Sequence, residues 1–293
     1  MSRQQFQRVR GLWVILGCII GAICCLGYFA PPHLFGGSRQ EQVKPGATRK
    51  TQNQNKQDAR NKNTKKPAPP EDPAYRKFGI YENTAPRASQ TVAVKTSLPL
   101  QMKPGSRIAL VGNTLLERSR LFGHFEALLH QRYPQHKLVV RNLAWSADTP
   151  DVQVRPSNFA DLDQHLTHEK IDIIFAAYGF NESFAGPAGL PAFRKSLTAY
   201  TRELQSKSFN GKSGPRIILV SPIANENVTG VQAADLNNER IRSYLETMRA
   251  VARECGVGFV DVFSDTAAAM KDPGSDLTLN GCHLNEQGNA IFS

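Results

Sequence analysis

Four short polar blocks in this chain carry residue types that together suit nucleophilic acyl chemistry. They are Gly112-Asn113-Thr114, Ser146-Ala147-Asp148-Thr149, Gly179-Phe180-Asn181-Glu182 and Asn280-Gly281-Cys282-His283. A hydroxyl at Thr114 can attack a carbonyl if a base takes its proton. His283 is the candidate base. Thr114 has a second reading as the cap of the helix that follows it. Its β-methyl also restricts χ1 and crowds an incoming carbonyl. Ser183 is a possible substitute nucleophile or a loop serine, and Glu117 and Arg118 are first-turn helix residues or site groups.

Other chemistries find less support. The seven histidines include no His-Glu-x-x-His pattern, and the five cysteines form no zinc spacing and no disulfide framework. No metal or cofactor is expected. Residues 1–100 hold 16 Lys and Arg against 5 Asp and Glu, whereas residues 101–293 hold 20 of each, so the net charge of +11 lies in the N-terminal third. A foldable part without net charge or a basic stripe argues against a nucleic-acid partner.

The blocks need a frame to bring them together. RIALVG (107–112), KLVVRNLA (137–144), IDIIFAAYG (171–179), RIILVSPI (216–223) and VGFVDVF (257–263) read as buried parallel strands. Helical patterns separate them at 115–133, 161–169, 190–206 and 235–255. In the first, Leu121, Phe125, Leu128 and Leu129 stand at core spacing. An α/β fold with a five-stranded parallel sheet covered on both faces follows. The first three blocks fall at or just beyond strand carboxyl ends, where such sheets bind ligands.

The N-terminal third is different. Residues 11–30 are a run of 20 without a charge, long enough to cross a bilayer as a signal anchor and similar also to a signal peptide. Residues 31–96 read as a disordered basic linker, the stretch QNQNKQDARNKNTKKPAPP having almost nothing to bury. The expected domains are therefore 1–30, a transmembrane or signal segment; 31–96, the linker; and 97–293, the folded domain.

The four blocks resemble those of the SGNH (GDSL-like) hydrolases, over about residues 105–293. That family has Gly-Asp-Ser where this chain has Gly112-Asn113-Thr114, and Ser-Gly-Asp-Thr where it has Ser146-Ala147-Asp148-Thr149. Gly179-Phe180-Asn181-Glu182 matches the third block in full, and Asn280 stands where Asp-x-x-His has its aspartate. The resemblance implies a flavodoxin-like three-layer fold and an esterase, lipase or carbohydrate deacetylase. Thr114 and His283 would be catalytic with Asn280 behind them, and Thr114, Ala147 and Asn181 would form the oxyanion hole. The expected substrate is a small-molecule or carbohydrate ester. The expected location is extracytoplasmic, on a membrane through residues 11–30. Loss of both the serine and the aspartate also fits a catalytically inactive member that binds a glycan or scaffolds an envelope complex. The oligomeric state is open.

Overall fold

The computed structural model describes residues 80–272 and 274–293. The apolar run at 11–30 and most of the linker expected at 31–96 lie outside the described residues. Among the described residues no helix is long and apolar enough to cross a membrane.

In chain order the elements are β1 (Ser89–Gln90), β2 (Arg107–Gly112), α1 (Thr114–Ser119), α2 (His124–Arg132), β3 (Val139–Asn142), α3 (Leu162–His168) and β4 (Ile173–Ala177). They continue with α4 (Phe180–Ser183), α5 (Gly186–Gln205), β5 (Lys207–Ser208), β6 (Arg216–Val220), α6 (Ala234–Cys255), β7 (Gly258–Val260), α7 (Val262–Ala269) and α8 (Glu286–Phe292). The main sheet has five strands in the order β3-β2-β4-β6-β7, every neighbouring pair parallel. This is the flavodoxin-like order, whose reversal falls between β2 and β4.

Alternation along each strand divides the apolar residues between two faces. Ala109, Val111, Ile174, Ala176, Ile217 and Leu219 pack with Phe193, Leu197, Tyr244 and Met248 of α5 and α6. Ile108, Leu110, Ile173, Ala177, Ile218 and Val220 pack on the other side with Leu116, Leu138 and Leu284, where Phe125, Leu129 and Phe292 join them. The sheet thus has core on both sides. Removing one of its fully buried side chains, such as Ile173 or Leu219, costs about 2–5 kcal/mol.

Two differences from the sequence expectation have local causes. The helix expected over 115–133 is broken into α1 and α2 by Gly123, which takes φ +71. The carbonyl of Leu116 is held by Asn142 Nδ2 at 2.6 Å and by Ser119 Oγ at 2.7 Å. In the rotated register Phe125 and Leu129 reach the core, while Leu121 and Leu128 are exposed. The packed chain also starts before residue 97. Tyr81 bridges Phe159, β1 pairs with β5, and Thr96 Oγ1 accepts the Ile217 N–H at 3.0 Å. Backbone bonds of this kind leave little mark on composition.

At the reversal point β2 and β4 come too close for a side chain. Gly112 has φ +113, and a Cβ on it would overlap the carbonyl of Ala177. The same carbonyl accepts the N–H of Asn113 at 3.1 Å. Gly112→Ala is expected to lower stability by about 3 kcal/mol through combined backbone strain and overlap. A matched pair of urea unfolding curves checks it.

Candidate active site

The β2 turn presents Thr114 with its hydroxyl free. The cap of α1 is Asn113, whose Oδ1 accepts the Leu115 N–H at 3.1 Å from an extended backbone. This corrects the reading of Thr114 as the cap. Thr114 is the first helical residue, and its Oγ1 makes no hydrogen bond among the described residues. Glu117 pairs with Arg120 and takes a 3.4 Å bond from Ser146 Oγ, tying the second block to the first turn of α1.

At the end of β4, Gly179 turns the chain with φ +95. Its N–H donates to Glu182 Oε2 at 2.9 Å. The other carboxylate oxygen, Glu182 Oε1, is buried without a partner. Burial pushes the Glu182 carboxyl up to about 7. Next to it, Asn181 Nδ2 is also buried without a partner. Ser183 donates its hydroxyl to the Phe180 carbonyl at 2.6 Å and is itself buried. It is a helix-turn serine, and the substitute-nucleophile reading falls.

His283 comes from a tight loop between Leu277 and Leu284, closed by a bridge from Thr278 to Leu284 and by a 2.8 Å bond from the Leu279 N–H to the His283 carbonyl. Asn280 Oδ1 accepts the His283 N–H at 3.1 Å and lies 3.0 Å from His283 Nδ1. The backbone donor demands an acceptor, so the amide oxygen, not its nitrogen, must face the ring. The ring can then bond Asn280 only as an Nδ1–H donor, which leaves Nε2 as the free base. An asparagine here therefore keeps the imidazole in the tautomer an aspartate would select, without supplying a charge. Burial first, and the Arg118 cation second, lower the His283 pKa, so the ring stays neutral to lower pH.

Thr114, Asn181, Cys282 and His283 line one small pocket, floored by Ala177 and Tyr178 and walled by Pro222 and Ile223. Its volume is about 40 Å³, well below the roughly 300–1,000 Å³ of sites that enclose drug-sized ligands. Asn280 stands behind His283. Ala147 lies outside this lining, on the neighbouring loop, and its N–H makes no hydrogen bond among the described residues. It has φ +66, a backbone suited to glycine. The loop keeps that conformation because Trp145 N–H bonds the Gly112 carbonyl at 2.9 Å and because buried Asp148 takes both arms of Arg155 at 2.7 and 2.8 Å. Among the described residues no group of three or more His, Cys, Asp or Glu side chains could hold a metal.

Glu226 is the functional residue that sequence reasoning missed. It is buried in the loop after β6, and its carboxylate accepts the Leu277 N–H at 3.1 Å, Thr278 Oγ1 at 2.6 Å and Ser275 Oγ at 3.1 Å. Its own N–H bonds the Gly281 carbonyl at 2.8 Å. A Cβ on Gly281 would stand 2.8 Å from the Glu226 carbonyl oxygen, so that glycine is required for the approach. Glu226 thus clamps the loop that carries Asn280 and His283. An acidic residue between two asparagines gave no signal of this, because its partners are 49–52 positions away.

Two outcomes follow from these geometries. Glu226→Ala removes the acceptor for three buried or half-buried donors and is expected to lower stability by about 2–4 kcal/mol. Glu226→Gln should lose less, and urea unfolding of both variants measures the difference. For Glu182, the folded pKa of about 7 lies above the ordinary 4.5. Between these values the folded state holds a proton that the unfolded state releases, so this group's contribution to stability falls as pH rises through that window. The wild type should therefore lose more stability than Glu182→Gln between pH 4.5 and 7.5, compared by unfolding midpoints at each pH.

Comparison with known proteins agrees with this fold. Among solved structures, the chain superposes on a catalytic mutant of Axe2, an acetylxylan esterase from Geobacillus stearothermophilus, with a TM-score of 0.52 at 17% identity, covering 66% of this chain and 92% of that one. A GDSL-like lipase candidate from Parabacteroides merdae gives 0.51 at 14% identity, over 66% and 94%. BT4096, a gut microbial diltiazem-metabolizing enzyme, gives 0.50 at 18% identity; 67% of this chain is covered but only 46% of that one. At these identities the likeness is one of fold. No protein of curated function matches the sequence. The sequence model of the GDSL-like lipase/acylhydrolase family, however, matches residues 106–291. The chain belongs to the GDSL-like lipase/acylhydrolase family and is a hydrolase acting on ester bonds.

Proposed function

We propose that the domain removes a small acyl group from a carbohydrate ester, with Thr114 as nucleophile and His283 as base. Thr114 Oγ1 attacks the acyl carbon while His283 Nε2 takes its proton. The same proton passes to the departing sugar oxygen, and water then releases the acyl group from Thr114 by the reverse sequence. Asn280 holds the imidazole through Nδ1–H. The N–H groups of Thr114 and Ala147 and the Asn181 amide receive the oxyanion.

The observation that carries this reading is the Asn181 amide nitrogen, buried without a partner in a residue lining the same pocket as Thr114 and His283. A buried donor left unpaired is costly unless something else uses it. The pocket of about 40 Å³ favours a short acyl group. The carbohydrate part draws on the fold shared with an acetylxylan esterase. The apolar run at 11–30 and the basic stretch after it support an extracytoplasmic, membrane-tethered location on sequence alone.

The absence of a hydrogen bond between Thr114 and His283 favours a second reading, a family member that binds the glycan without turning it over. Hydrolysis of nitrophenyl acetate and of acetylated sugars separates the two. Thr114→Ala and His283→Ala are each expected to lower kcat/KM by about 10²–10⁴, and Thr114→Ser to raise it about tenfold by removing the β-methyl. The acidic limb of the kcat/KM profile, where protonation of His283 removes the base, should lie below pH 6.5, and Asn280→Asp should carry it upward by adding a negative charge beside the ring. Turnover equal in wild type and both alanine variants, or absent in all three, sinks the hydrolytic assignment of Thr114 and His283.

A further inference from the structure

The loop beside the pocket carries an aromatic surface that the hydrolytic residues leave unused. Trp145 is 40% exposed and Phe159 36% exposed, with ring centroids 5.8 Å apart in an edge-to-face pair. Exposed aromatic residues set side by side usually mark a contact surface. These two are also held rigidly. The Arg155 guanidinium lies 4.7 Å from the Trp145 ring centre and is pinned by both oxygens of Asp148. The two charged side chains are only 10% and 4% exposed. Phe159 in turn rests 5.1 Å from the His165 ring and takes its backbone position from a bridge to Tyr81.

The position of this platform gives it a purpose. Trp145 N–H bonds the Gly112 carbonyl, one residue before Asn113 at the pocket wall. Neighbouring strand ends are about 5 Å apart, so the Trp145 backbone lies one strand across from the β2 turn that supplies Asn113 and Thr114 to the pocket. A pocket of about 40 Å³ encloses little more than the acyl group, and the alcohol part of the substrate must lie along its rim. The surface is aromatic, and the charge of the Arg155 beneath it is cancelled by Asp148. An exposed indole face of that kind suits the apolar C–H face of an uncharged pyranose ring.

We propose that Trp145, supported by Arg155 and flanked by Phe159, is a subsite that stacks a neutral pyranose ring of the glycan next to the acylated sugar. The inference rests on the ester-hydrolysing reading of the pocket, and it names the part of the substrate that reading leaves open.

Two measurements on the full chain test it. In the first, Trp145→Ala and Trp145→Phe are compared with wild type on acetylated xylohexaose and on nitrophenyl acetate. The ratio of kcat/KM for the oligosaccharide to that for the small ester should fall about tenfold or more in Trp145→Ala, the scale of one aromatic stacking contact, and recover in part in Trp145→Phe. The second uses Trp13→Phe, which leaves Trp145 as the single tryptophan of the two in the chain. Its fluorescence should change saturably on titration with unacetylated xylohexaose or chitohexaose, in the presence or absence of His283→Ala. An unchanged ratio in Trp145→Ala, or fluorescence indifferent to both sugars, overturns the subsite. If wild type hydrolyses neither ester, the hydrolytic reading fails, and the fluorescence titration still decides the platform by itself.

Discussion

The contact between Gly112 and the Ala177 carbonyl sets the geometry of everything at the carboxyl edge of the sheet. A parallel sheet whose order reverses between two strands leaves a gap there, because the chain leaves those strands toward opposite faces. Here the gap is made narrow by a backbone approach that only glycine permits. The narrowness lets Asn113 bond across to β4 and brings the first residue of α1 beside the turn that carries Asn181. A wider junction would have placed a hydroxyl and an amide in the same region without making them walls of one pocket.

The site then shows how a family frame tolerates changed residues. An aspartate behind a histidine performs two tasks, selecting the tautomer and stabilising the imidazolium. Asn280 retains the first because backbone N–H groups, rather than charge, decide which end of its amide meets the ring. The second task has no charged substitute, and burial with the Arg118 cation biases His283 further toward its neutral form. Such a ring accepts a proton less readily and releases it more readily. Likewise Ala147 keeps the left-handed backbone of a glycine, its strain borne by the salt-bridged loop around it.

How much of this was legible in sequence depended on the range of the interactions involved. Strand runs such as IDIIFAAYG announced themselves because a buried parallel strand must be apolar on both faces. The positions of Thr114 and Asn181 followed from where those strands end, whereas His283 was singled out by the resemblance of its block alone. Helix 115–133 was misread because Gly123 takes a left-handed turn within it and a side chain from β3 holds a carbonyl of α1, neither of which hydrophobic spacing records. Asn113 rather than Thr114 caps that helix, and both residue types are good caps, so only geometry could choose. Glu226 was invisible because its partners are distant in sequence. Residues 80–96 read as linker because their attachment, by β1 pairing, the Thr96 hydroxyl and the Arg87–Asp161 pair, uses little apolar surface.

The placement of His283 has a temporal consequence. Thr114 stands at the end of the domain's first long strand, while His283 and the residues that Glu226 clamps lie between residues 275 and 283. During synthesis the residues of the sheet's five strands are all made before the 275–283 loop, so until then Glu226 has none of its loop donors. Docking of this last loop thus satisfies the carboxylate and completes the pocket lining with Cys282 and His283 in one event.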